Sequence, residues 1–316
     1  MDDPAPTAQP GTGHQPRVIL PTLRQLSFLV ALGEQGGFVR AAEVVGVTQP
    51  TLSAGIKELE AILGVTLVDR SQGGAVLTPA GEEAARRAAS AIGDVEALVR
   101  AARGAGAPMS GPFRLGAIPT IAPFLLPRAL SLIATRFPRL QVSLKEDLTN
   151  RLIDGLRART LDAALIALPY EASGITVEIF AEDEFFLLAP AGHPLLSADH
   201  LAAEDLREQP VLLLEDGHCL RDHALSVCKT PPPGRATTEV GATSLHTLTH
   251  LVGAGLGVTL LPKIAADAGI VAGAKAQARA FDKPLIGRSL GVAWRTGSAR
   301  AAEARALAAA LKELAL

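Results

Sequence analysis

The two cysteines of this chain stand nine positions apart, at Cys219 and Cys228. Two cysteines scattered at random over such a length fall that close only about once in twenty. The first sits in the run Leu214-Glu215-Asp216-Gly217-His218-Cys219-Leu220-Arg221-Asp222-His223. His218, Arg221 and His223 offer donors and potential positive charge, which favour the thiolate, the form in which sulfur attacks an oxidant. Asp222 pulls the other way. Cys228 follows Leu225 and Val227, an apolar setting that suits a protonated, inert thiol. Redox chemistry is therefore open to the pair, and so is a plainer role as two small buried hydrophobes.

Other chemistry finds little to work with. His246 and His250, one helical turn apart, lack neighbouring thiols or carboxylates, so no metal is expected. The glycines of Gly253-Ala254-Gly255-Leu256-Gly257 match no nucleotide fingerprint, and no Gly-x-Ser-x-Gly elbow occurs. Neither an enzyme nor a resident cofactor is expected.

The chain that must position these groups has 316 residues, 48% of them hydrophobic and 20% charged, with a formal net charge of −2. It has ample apolar material for two or three domains, and its charge excludes a polybasic nucleic-acid wrapper. No apolar run reaches the roughly 18 residues needed to span a membrane. The start, Met1-Asp2-Asp3 through Pro16, lacks the cationic and apolar parts of an export signal, so residues 1–20 read as a disordered leader of a cytoplasmic protein.

Residues 21–78 read as three short helices and a β-hairpin. Apolar residues recur at helical interval from Leu23, a second helix from Phe38 ends at Gly46, and Thr48 with Pro50 opens a third. On the third, Leu52, Ile56, Leu59 and Leu63 share one face, expected to be buried, while Pro50, Ser53, Ala54 and Lys57 point away. A tight turn between two such helices is the helix-turn-helix arrangement, whose second helix fits the DNA major groove. Val65–Val68 and Ala75–Leu77 would form a wing beside it. In the long helix of 79–103, Ala84, Ala88, Ala91, Val95, Leu98 and Ala102 follow a 3.5-residue repeat, the seam of a dimer. Residues 104–110 read as a hinge. Apolar runs at 113–118, 140–144, 163–168, 185–189, 211–214, 258–261 and 290–294 then alternate with helical stretches at 121–137, 150–159, 244–253 and 298–316. That alternation implies an α/β fold with largely parallel sheets.

The segment Val47-Thr48-Gln49-Pro50-Thr51-Leu52-Ser53, continuing through Ile56-Lys57-Glu58-Leu59-Glu60, Leu63–Arg70 and Leu77-Thr78-Pro79-Ala80-Gly81, resembles the winged helix-turn-helix of LysR-type transcriptional regulators. The similarity resumes at Phe137-Pro138 and Leu161-Asp162. The loop from Leu214 to Asp222 with Cys228, together with Met109–Pro112, Ile118–Thr120, Leu125–Pro127 and Ala242–Leu245, resembles the peroxide-responsive branch of that family. The resemblance implies a two-lobed regulatory module like a periplasmic binding protein. Lobe I would comprise 111–183 with 286–316, and lobe II, carrying the redox loop, 184–285.

It further implies a homotetramer, a dimer of dimers, which activates antioxidant genes on double-stranded DNA and meets RNA polymerase there. Hydrogen peroxide would be the signal, a cellular thiol system the reset, and a reversible Cys219–Cys228 disulfide the switch, with Cys219 peroxide-reactive and Cys228 resolving. Thr120, Thr149, His218 and Arg288 would form the peroxide pocket, and Gln49, Pro50, Thr51, Ser53, Lys57 and Arg70 would meet DNA. If 219–228 is helical, nine steps set the two Cα atoms about 13.5 Å apart, whereas a disulfide needs less than about 7 Å, so the helix must break to bond. The alternative within the family is a regulator of a small organic effector bound between the lobes, with incidental cysteines. A third reading, a solute-binding or enzymatic module, leaves Gln49–Lys57 without a use.

Three features depart from the family's pattern. The leader before Thr22 has no counterpart in it. Residues 24–70 hold four basic against five acidic side chains, so phosphate binding must lean on helix dipoles and backbone N–H groups, with a shallow salt dependence. The wing tip Gln72-Gly73-Gly74 carries no basic residue.

Overall fold

A computed structural model of the chain describes residues 19–70, 76–102, 109–228, 242–282 and 286–314, and for residues 97, 100–102 and 226–228 the backbone alone. The leader through residue 18, the wing tip and the greater part of the expected hinge lie outside the described residues. Two compact units are present, residues 1–92 and 93–316.

The first unit contains α1 (Leu23–Gln35), α2 (Phe38–Val44), α3 (Gln49–Leu63), β1 (Val68–Asp69) and β2 (Val76–Leu77), and α4 (Pro79–Ala102) begins in it. Local chemistry sets the helix ends. Thr22 and Gln25 form a reciprocal capping box on α1, and the Thr48 hydroxyl accepts from the Thr51 N–H at the start of α3, where Pro50 needs no donor. Gly46, at φ +67°, makes the turn between α2 and α3 that a side chain would strain.

Phe28, Leu29, Leu32, Leu52, Ile56, Leu59 and Leu67 build the core of this unit. α1 and α3 cross closely, since a Cβ at Gly55 would come within 2.6 Å of the Phe28 ring. Leu63, expected in the buried stripe, is instead 43% exposed, because it occupies the last turn of α3, beyond the edge of this small core. The Glu60 carboxylate accepts from the Leu67 and Val68 N–H groups at 2.8 and 3.2 Å and so fastens the antiparallel wing to α3. Ala84 and Ala85 of α4 pack against the same core, while Leu98 and Val99 farther along are exposed in the single chain.

The second unit runs β3 (Gly111–Ala117), α5 (Ala122–Arg136), β4 (Leu140–Glu146), α6 (Thr149–Arg157), β5 (Ala163–Leu168), β6 (Ile175–Pro190), α7 (Cys219–Cys228), α8 (Leu245–Gly253), β7 (Thr259–Pro262), α9 (Lys263–Asp267), β8 (Ala276–Ala280), β9 (Gly287–Arg295) and α10 (Ala301–Leu311). Its sheet has the order β4-β3-β5-β9-β6-β7, with β8 also on β6. Only the β3 pairings, with β4 and β5, are parallel among these named strands. β6 and β9 pair antiparallel with all their neighbours, so the sheet is mixed rather than largely parallel. The reason is topological: β6 runs on from one lobe into the other, and β9 returns antiparallel between its first part and β5.

β6 is 16 residues long and serves both lobes. Up to Glu184, opposite Gly287, it pairs with β9; from Phe185, opposite Pro262, it pairs with β7. The expected strand at 211–214 is reduced to two isolated parallel bridges, Val211 to Val258 and Leu214 to Ala242. Among the described residues no helix is long and apolar enough to cross a membrane.

Candidate functional site

Five elements converge on Cys219. Thr120 follows β3, Thr149 opens α6, Asp183 lies on β6, Arg288 lies directly opposite it on β9, and Cys219 itself starts α7 after the turn made by Gly217 and His218. Thr120, Thr149, Asp183, His218, His223 and Arg288 are all buried.

Arg288 organises the group. Its Nε donates to Asp183 Oδ2 at 3.0 Å, one terminal nitrogen to Thr120 Oγ1 at 2.7 Å, and the other to the Thr120 carbonyl at 3.0 Å. Its guanidinium also stands 6.0 Å from the centre of the Phe185 ring. Asp183 Oδ1 accepts from the Ile264 N–H at 3.0 Å, which brings in the first turn of α9. Because the Thr120 hydroxyl already accepts from Arg288, its own proton is available to an acceptor.

Thr149 is the first residue of α6 and follows a Leu148 cap that makes no side-chain hydrogen bond. Its hydroxyl therefore does not serve the helix end. It is closed off from solvent without an oxygen or nitrogen partner and lies against the Cys219 thiol. Ile118, Pro119, Thr120, Leu148, Thr149, Gly217, His218 and Cys219 line a closely packed recess beside the thiol, too tight in this conformation to hold a water-sized molecule.

The electrostatics differ from those the local sequence suggests. Burial raises the Cys219 pKa above the ordinary thiol value, and Arg288, the Thr149 hydroxyl and the Leu220 N–H draw it partly back, while Asp222 adds to the rise. The resting sulfur is thus a protonated thiol. Positive charge reaches it from Arg288, not from the residues beside it in the chain. Arg221 turns away, bonded to the Leu214 carbonyl at 3.2 Å and to Asp216 at 2.9 Å. Burial lowers the pKa of His218 and of His223, which keeps both imidazoles neutral near pH 7. The expectation that His218, Arg221 and His223 supply the activating charge is corrected on this point.

Of the expected pocket residues, Thr120, Thr149, His218 and Arg288 meet at Cys219, whereas Cys228 is at the far end of the ten-residue α7. Asp183 was not anticipated. It lies in the run Ala181-Glu182-Asp183-Glu184, which reads as solvated acid in the sequence, and its partner is 105 residues away.

On the first unit, Gln49, Pro50, Thr51 and Lys57 are exposed along α3 and Ser53 is half-buried, so these side chains stand on the face away from Leu52, Ile56 and Leu59. Arg70 is engaged locally, paired with Glu60 at 3.3 Å and placed 5.9 Å from the centre of the Phe38 ring.

Comparison with known proteins agrees with this anatomy. Residues 23–82 match the bacterial regulatory helix-turn-helix of the lysR family, and residues 106–316 match the LysR substrate binding domain. A probable hydrogen peroxide-inducible genes activator from Streptomyces viridosporus is 41% identical over 293 residues, 93% of this chain and 94% of its own. A full-length cysteine-to-aspartate variant of OxyR from Pseudomonas aeruginosa has 34% identity and a TM-score of 0.76, covering 92% of this chain and 95% of that one. A cysteine-to-serine variant of Corynebacterium glutamicum OxyR, with hydrogen peroxide bound, has 34% identity and a TM-score of 0.62, covering 93% and 94%. With both family models matched and this similarity over nearly its full length, the chain belongs to the OxyR group of LysR-type transcriptional regulators.

Proposed function

We propose that the chain activates antioxidant genes in response to hydrogen peroxide through a reversible Cys219–Cys228 disulfide. The observation that carries this reading is the convergence of the Thr120 and Thr149 hydroxyls and the Arg288 guanidinium on the buried Cys219 thiol. Peroxide, little larger than water, needs groups that both donate and accept, and a small opening of this recess would admit it. Organic ligands occupy pockets of about 300–1,000 Å³. The other described cavity shared by the two lobes, about 270 Å³ beside Phe124, His246 and His250, is also below that range. Relatives named as peroxide-inducible gene activators and a peroxide-bound neighbour support the same signal.

The chemistry proceeds in two balanced steps. The Cys219 thiol loses its proton, the thiolate displaces hydroxide from peroxide, and the sulfur becomes a sulfenic acid while hydroxide takes up the proton as water. Arg288 stabilises the transient thiolate, and Thr120 and Thr149 hold the two oxygens. The Cys228 thiol then attacks the sulfenic sulfur and expels a second water. Since α7 holds the two Cα atoms about 13.5 Å apart along its axis, against a disulfide limit of about 7 Å, it must unravel first. The loss of α7 is the bistable element that would re-pack lobe II, residues 184–285, against lobe I, residues 111–183 with 286–316.

DNA would be met by Gln49, Pro50, Thr51, Ser53 and Lys57, with Arg70 beside the wing. The working assembly would be a dimer of dimers joined partly through α4, acting on RNA polymerase in the cytoplasm and reset by cellular thiols. Peptide mass mapping after a micromolar peroxide pulse tests the proposal. A Cys219–Cys228 link that dithiothreitol removes is expected, and an unchanged promoter response to peroxide in Cys219→Ser would refute it.

A further inference from the structure

We propose that Asp183 is a positioning residue that keeps Cys219 a thiol at rest, by serving as the counter-ion of Arg288. The inference rests on the sensing role of Cys219 proposed above, but concerns a residue outside the reacting atoms.

The geometry fixes the pair. Asp183 and Arg288 face each other in the β6–β9 register, and their side chains are both 0% exposed. Each carboxylate oxygen accepts a hydrogen bond, one from Arg288 Nε and the other from the Ile264 N–H, and both bonds favour the charged form. Burial raises the Asp183 pKa, and Arg288, the Ile264 N–H and Lys263 oppose that rise. One buried cation and one buried anion thus form a neutral unit beside the thiol. A buried cation stripped of its partner is far more costly than a neutral pair.

Removing the carboxylate charge leaves Arg288 in want of an anion. Its terminal nitrogens stay committed to the neutral oxygens of Thr120, and the ionisable group that it already attracts is Cys219. The thiolate becomes the replacement counter-ion. The other groups around the pair do not substitute. Lys263 at the head of α9 is itself a cation and bonds Asp267 at 2.6 Å. On α7, Asp222 opposes the thiolate and His223 is neutral; in the preceding turn His218 is neutral, and Glu215 acts on that imidazole. Asp183 therefore sets how much of the Arg288 charge the sulfur feels, and with it the oxidant level at which the sensor fires.

The test uses the full chain carrying Cys228→Ser, which leaves a single thiol, and the pH midpoint of Cys219 alkylation by a neutral bimane. Adding Asp183→Asn should lower that midpoint by about one pH unit, tenfold in the ionisation constant. An unchanged or raised midpoint overturns the proposal. Should the asparagine variant not fold, Asp183→Ala prepared in formate decides, because formate can refill the carboxylate's place. Its midpoint should climb with formate concentration and not with formamide; equal restoration by formamide would show that Asp183 acts by shape alone. Alkylation requires no peroxide. A thiol that shows this profile yet ignores peroxide would sink the sensing reading and leave the counter-ion role standing.

Discussion

Replacing Leu220 by alanine should make the Cys219–Cys228 disulfide harder to reduce. Leu220 is buried in the regulatory core, with Ala224 one turn later and Leu225 partly buried beside them, so this edge fastens α7 to the domain. Truncating a buried leucine costs about 2–5 kcal/mol where the leucine is packed. If bonding requires α7 to unravel, that loss falls on the reduced state alone. At roughly 30 mV per 1.4 kcal/mol for a two-electron couple, the reduction potential shifts by about 40–110 mV toward more negative values. The lower half of the range is expected, because Leu220 will find some cover in the oxidised packing. Equilibration in graded dithiothreitol buffers, followed by thiol trapping and gel shift, measures the potential. A midpoint that stays put, or moves the opposite way, would mean that Leu220 is equally buried in both states and that the helix need not break.

Three further outcomes follow from other parts of the molecule. Gly55→Ala should drive a methyl into the Phe28 ring at 2.6 Å and destabilise the first unit by roughly 1–3 kcal/mol; calorimetry should show its transition lowered and that of the regulatory unit unmoved. Thr149→Val removes the hydroxyl that eases thiol ionisation, so the alkylation midpoint of Cys219 should rise and sulfenic acid should form more slowly in competition kinetics; a valine variant as fast as the parent would contradict the assigned contact. Burial depresses the folded-state pKa of His218 and His223, so on acidification the unfolded chain takes up protons first. The stability these residues confer is complete above about pH 6.5 and is lost as the pH falls through the depressed folded values. Denaturant titrations from pH 7.5 to 5 should show that decline, and His218→Gln with His223→Gln should flatten it.

The first unit was largely legible in the sequence because its signals are local. Thr48, Pro50 and the Leu52, Ile56, Leu59 stripe define α3 without help from distant residues. Leu63 escaped because periodicity tells which face a residue shares, not where the core ends. In the regulatory unit the apolar strand runs were visible, but the first half of β6 was not. Thr176, Glu178 and Glu182 interrupt its pattern, since this stretch is only partly covered.

The site shows the same division. The meeting of Thr120, Thr149, His218 and Arg288 at Cys219 followed from family resemblance, since neighbours in the chain could not reveal it. Charge near the sulfur was misread because Arg221, two positions away, turns to Leu214 and Asp216, whereas the active cation comes from β9. Only the folded register can pair Asp183 with Arg288.

The unbroken course of β6 through both lobes has a mechanical consequence. One of the chain's two passages between the halves is thus a ladder-bonded strand where a slack tether could have stood, which resists their drifting apart more than it resists twist about β6. On the proposed switch, a signal born at the sulfur would then leave the domain more as torque than as separation, and whatever reads it on the outside would respond to angle before distance.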